Sequence, residues 1–141
     1  MNTPKLAWYG AVLLVFGSRA LAHHSFAMYD PTQVLTLNGT VKEFQWSNPH
    51  AIVWVMIFSA PDNAPELWTI ELPTSPAGLV RMGWDKRSLN SGDRVILEIN
   101  PLRGGQHGGS FRKATMVETG KVLTVASPLS RTAAALQTGA P

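Results

Sequence analysis

Cysteine is absent from the 141 residues, which excludes a disulfide scaffold and any thiolate-ligated zinc site. Charge is scarce as well, at 15% of the chain. No apolar run reaches the roughly 18 residues that a permanent membrane span requires. Catalytic signatures are equally lacking. There is no Gly-x-Ser-x-Gly elbow, no His-Glu-x-x-His pair and no phosphate-binding Gly-Lys-Ser loop. The carboxylates Glu43, Glu66, Glu71, Asp85, Asp93 and Glu98 are spread over strands and turns, without the close acid pair that hydrolysis uses. These absences argue against an enzyme, and the length leaves room for one small domain rather than two.

What is present begins with a leader. Lys5 precedes the apolar run Leu6 to Phe16, followed by Gly17-Ser18-Arg19 and the small-residue signature Ala20-Leu21-Ala22. That order is a charged region, an apolar core and a cleavage site, so residues 1–22 read as a signal peptide of an exported, periplasmic or secreted protein. An uncleaved amino-terminal anchor is the competing reading. Loss of Lys5 and Arg19 with the leader leaves ten basic against nine acidic residues, a net charge of +1. Export and near-neutrality argue against nucleic acid as a partner.

Residues 23–33 read as an extended arm stopped by Asp30-Pro31. Residues 34–125 then carry mainly strand patterns. Leu35, Leu37, Gly39 and Val41 alternate, after which Phe44 and Trp46 continue the apolar side one residue out of phase, as a β-bulge requires. Ser47-Asn48-Pro49-His50 is a turn, and Ala51 to Phe58 reads as a buried strand. Trp68, Ile70 and Leu72 alternate. Ser75-Pro76 then opens a helix of two or three turns with its N-cap and first-turn proline. Val95, Leu97 and Ile99 form the next strand after the turn at Asn90-Ser91-Gly92-Asp93. Arg112 to Val125 hold a last strand or hairpin folded at Thr119-Gly120. Residues 126–141 are poor in large apolar residues and read as a disordered tail. Three strands, a helix and two more strands, the first of them bulged, predict a small five-stranded OB-like barrel. An open α+β sheet remains the alternative.

The four histidines are the chemical candidates: His23 and His24 at the expected new amino terminus, His50 in the first turn and His107 in the loop Gly104-Gly105-Gln106-His107-Gly108-Gly109. None lies within an apolar strand. Scattered exposure is their plainest reading. In an OB barrel, however, the loops carrying His50 and His107 flank the usual binding face. An arm of residues 23–33 can extend about 36 Å, far enough to return there. Imidazole is a common ligand for copper and zinc, and cleavage after Ala22 would add the α-amine of His23 as a second nitrogen. Met28 offers a soft ligand for Cu(I), although its neighbours Phe26 and Tyr29 also suit a packing role. Asp30 and Glu43 are candidate acceptors behind a liganding histidine. Trp46, Trp54, Trp68 and Trp84 alternate with core residues, which assigns them to packing.

The segments Ala22-His23-His24-Ser25-Phe26-Ala27-Met28-Tyr29-Asp30 and Leu37-Asn38-Gly39-Thr40-Val41-Lys42-Glu43-Phe44-Gln45-Trp46-Ser47-Asn48-Pro49-His50 carry a family resemblance. So do Arg81-Met82-Gly83-Trp84, Ser91-Gly92-Asp93 and Pro101-Leu102-Arg103. Together they resemble a family of small exported bacterial proteins known as a domain of unknown function, family 6152. The resemblance implies a signal-peptide-bearing bacterial protein and no established activity. Two expectations follow. One is a periplasmic module binding a transition metal such as copper through His23, His24, His50 and His107. The other is a non-catalytic accessory module holding a protein, glycan or small ligand near His50 and His107.

Overall fold

The computed structural model describes residues 26–60 and 63–126. The expected signal peptide at 1–22, His23, His24 and residues 127–141 of the expected tail lie outside the described residues. A single 3-10 turn, Phe26–Met28, precedes strands β1 (Leu35–Gln45), β2 (Ile52–Ile57) and β3 (Glu66–Glu71). Helix α1 (Pro76–Arg81) and strands β4 (Arg94–Pro101), β5 (Gly108–Met116) and β6 (Val122–Thr124) follow.

The strands run in the order β3-β2-β1-β4-β5-β6, and a parallel pairing of β3 with β5 closes the first five into a barrel. Closure distinguishes this OB-like arrangement from the open α+β sheet, because no barrel strand keeps a free edge. β1 serves two neighbours at once. Its first half pairs with β4 and its second half with β2, with a register shift between Val41 and Glu43. That shift lies where the apolar phase slips in the sequence, and it returns Phe44 to the inner side after Val41. β6 is a short addition, hairpinned onto β5 through Gly120, whose φ is +69°.

Alternation decides the core. Val53, Val55 and Ile57 of β2 are buried, whereas Ile52, Trp54 and Met56 between them are half-buried on the outer face. The continuous apolar run read as a buried strand is thus one inner face and one partly covered outer face, because a barrel strand turns only one side inward. Ile70, Leu72, Val95, Leu97, Ile99 and Phe111 complete the interior. Burial of each such side chain contributes roughly 1.5–3 kcal/mol. Helix α1 starts as its sequence predicts: Ser75 Oγ accepts from the Gly78 N–H at 3.3 Å and Pro76 holds the first position. At six residues it is shorter than expected. Gly83, at φ +84°, turns the chain so that the Trp84 N–H donates to the Leu79 carbonyl at 3.0 Å. Leu79 and Trp84 enter the core, where Trp84 meets Phe111 edge-on at 5.4 Å and donates its indole N–H to the Thr124 carbonyl at 2.9 Å.

Candidate functional site

The arm ahead of β1 is fastened to the barrel. Its turn is built by Asp30, whose carboxylate accepts from the backbone and hydroxyl of Thr32 at 3.0 and 2.7 Å and from Gln33 at 3.0 Å. Those hydrogen bonds, led by Thr32 and helped by the Arg103 charge, hold the Asp30 carboxyl below its usual value. Upstream, Asp30 N–H donates to the Pro101 carbonyl at 2.8 Å, and Arg103 N–H donates to the Met28 carbonyl at 2.9 Å. Tyr29 forms a bridge with Leu102, and the Arg103 guanidinium donates to the Ala27 carbonyl at 3.1 Å. The arm therefore extends the sheet beyond β4 for a few residues.

This docking buries Tyr29, which is 4% exposed, and aims its hydroxyl at Glu71, the last residue of β3. The phenol donates to Oε2 of Glu71 at 2.6 Å. The other oxygen, Oε1, faces Nδ1 of His50. Three segments thus meet at one carboxylate. Side-chain exposure of 24% for His50 and 19% for Glu71 leaves the group reachable from solvent. The Phe26 ring lies 6.2 Å from the His50 imidazole, and Ser47 Oγ donates to the His50 carbonyl at 3.1 Å. Burial, reinforced by the hydrogen bond to Glu71 and by its negative charge, pushes the Tyr29 phenol well above its ordinary range. It stays a protonated donor.

His107 is placed differently. Its ring stacks on Trp68 with centroids 5.1 Å apart and planes 10° from parallel, and its Nε2 lies 3.6 Å from Glu66 Oε2. Trp68 Nε1 and Ser59 Oγ also donate to that carboxylate oxygen, at 3.3 and 3.4 Å. Both partners are open to water, at 49% and 38% side-chain exposure. Glu66 and Glu71 stand five residues apart on β3, so they point to opposite faces and are separated by about 16 Å along the strand. The cause is topological. β1 and β4 are antiparallel, so the loops that follow them, bearing His50 and His107, leave the sheet in opposite directions. The structure brings His50 to the amino-terminal arm and does not bring it to His107. Among the described residues, no group of three or more His, Cys, Asp or Glu side chains is arranged to hold a metal ion.

The acceptor behind His50 is Glu71, not Asp30 or Glu43. Asp30 is engaged by Thr32 and Gln33, while Glu43 is exposed on β1 opposite Trp54. Met28 is exposed on the 3-10 turn. Glu71 read in sequence as one more outward carboxylate. The signal that identifies it is register: Ile52 pairs with Glu71, and alternation carried two residues back from Ile52 reaches His50 on the same outer face.

The model of a family of unknown function, DUF6152, matches residues 11–126. The chain belongs to that family. Comparison with curated proteins gives no match, and neither does comparison with solved structures. Among the described residues, no helix is long and apolar enough to cross a membrane.

Proposed function

We propose that this DUF6152 protein is an exported, non-catalytic binding module that takes a transition-metal ion such as copper on His50 together with His23 and His24. The observation that supports the reading is the return of the arm to His50, with Phe26 against the imidazole and Tyr29 on its carboxylate partner. His24 is two residues from Phe26 and His23 three, so their Cα atoms lie within about 7 and 10 Å of it. A neutral imidazole with a carboxylate on one ring nitrogen is a usual form of metal-binding histidine. Cleavage after Ala22 would supply the α-amine of His23 as a further nitrogen, and such nitrogen-rich sets suit Cu(II). His107 stands outside this set, at Glu66.

Copper titration of the processed protein tests the reading against a version carrying one additional residue ahead of His23. The expected result is weaker binding by the extended form and by His50→Ala. Equal affinity in all three removes the site.

A second reading, an accessory module for a protein, glycan or small ligand, draws on the outer β2–β3 face. There Ile52, Trp54 and Met56 are half-buried and Leu67 is exposed, and that face is a frequent ligand surface of OB barrels. On this reading the double change His50→Ala and Trp54→Ala, both on that face, weakens partner capture with no dependence on metal. Undiminished capture would count against it.

A further inference from the structure

We infer that Glu71 and Tyr29 are positioning residues: docking of the arm through the Tyr29 phenol holds Glu71 so that His50 is kept as its Nδ1–H tautomer, with the Nε2 lone pair left as the ligand atom. The consequence for metal affinity rests on the reading above, but the orientation itself does not. A neutral imidazole has one donor and one acceptor nitrogen, and the group facing Nδ1 selects between them. An ionised carboxylate only accepts, so Glu71 Oε1 requires the proton at Nδ1. Nothing on His50 itself enforces that choice.

The carboxylate in turn is held from its far side. Oε2 takes the Tyr29 hydroxyl at 2.6 Å, and Tyr29 is fixed by its burial and by the backbone bonds of Asp30 and Arg103 to the end of β4. Without the phenol, Glu71 has an alternative. Its register partner on β5 is Ser110, whose buried hydroxyl has no hydrogen-bond partner among the described residues. Partners in register point to the same face, so Ser110 offers a competing donor beside the carboxylate. The phenol decides which way Glu71 is held, although it lies behind the carboxylate and touches no ligand. Linkage makes this reciprocal: whatever binds Nε2 of the oriented imidazole also favours the docked arm.

The experiment uses the processed protein, labelled with 15N, and its Tyr29→Phe, Glu71→Leu and Glu71→Gln variants. Long-range 1H–15N spectra of the metal-free imidazole read which nitrogen bears the proton, and Cu(II) competition titrations follow on the same samples. Wild type is expected to show the Nδ1–H form. Glu71→Leu and Tyr29→Phe are expected to mix the tautomers and weaken copper about ten-fold or more, the effect usual for lost orienting partners. Glu71→Gln keeps a carbonyl acceptor and restores much of both, which separates positioning from a general loss of folding. An Nε2–H form in wild type, or a tautomer unchanged in both Tyr29→Phe and Glu71→Leu, overturns the inference. A tautomer that responds as expected in a protein that takes up no copper upholds the positioning role and sinks the metal reading instead.

Discussion

The side-chain amide of Asn100 donates to the backbone carbonyl of Gln33 at 2.7 Å, across 67 residues of chain. Asn100 is fully buried, donates a second time to the Asp30 carbonyl at 3.3 Å, and accepts from Arg112 at 3.4 Å. One residue of β4 thereby holds the carbonyls of the first and last residues of the turn that leads the arm into β1. Asn100→Ala takes the donor from the Gln33 carbonyl, whereas the Asp30 carbonyl keeps the Gln33 N–H at 3.4 Å, and the expected cost is about 1–3 kcal/mol. Urea denaturation should show a lower midpoint with an unchanged slope. An unaltered midpoint would mean that water replaces the amide without loss.

Alkaline titration examines Tyr29. Its folded-state value is raised by burial and by Glu71, so its contribution to stability is complete below the ordinary tyrosine value near 10 and is lost as pH rises above it. Tyr9 belongs to the expected leader, so in the processed chain Tyr29 is the sole tyrosine. The phenolate absorbance band should therefore appear together with unfolding instead of ahead of it, and Tyr29→Phe should flatten the alkaline fall in stability. A phenolate forming in the folded protein near pH 10 contradicts the buried hydrogen bond.

Local features were legible because local chemistry specifies them. The phase slip at Val41, the Ser75-Pro76 cap, the turn before Asp93 and the Thr119-Gly120 hairpin each lie within a few residues of their cause. The site was half legible. His50 stood out as a titratable group in a turn, but the residues that define its setting, Tyr29 and Glu71, are 21 residues from it on either side and 42 from each other. Glu71 looks solvated on its own strand. It becomes a shared acceptor only because the arm crosses to reach it, and alternation within one strand says nothing about what covers its outer face. The separation of His107 from His50 likewise depends on strand direction, which the antiparallel pairing of β1 with β4 settles.

Gly39 marks a close approach in the barrel wall. A Cβ built there would lie 2.6 Å from Ile57 Cδ1, 2.6 Å from the Met56 carbonyl oxygen and 2.7 Å from Val55 Cγ1. The backbone oxygen cannot swing aside as a side chain can. Gly39→Ala should therefore cost about 1–3 kcal/mol or more through forced movement of β2 against β1, read as a lower thermal midpoint. An equal or higher midpoint would show that the two strands separate there without penalty.

His50 and His107 make opposite predictions for the metal reading. Each faces a carboxylate of β3, yet only the carboxylate of His50 is also held by the arm. His107→Ala removes an exposed ion pair and a ring stack, and the expected cost is at most about 1 kcal/mol of stability. Because Glu66 and Glu71 point to opposite faces of the strand, copper affinity should stay within about two-fold of wild type in His107→Ala and fall at least about ten-fold in His50→Ala. Competition titration against a chromogenic chelator distinguishes the two. The reverse ranking would move the binding centre to the Glu66 end of β3, where Trp68 and His107 already occupy each other.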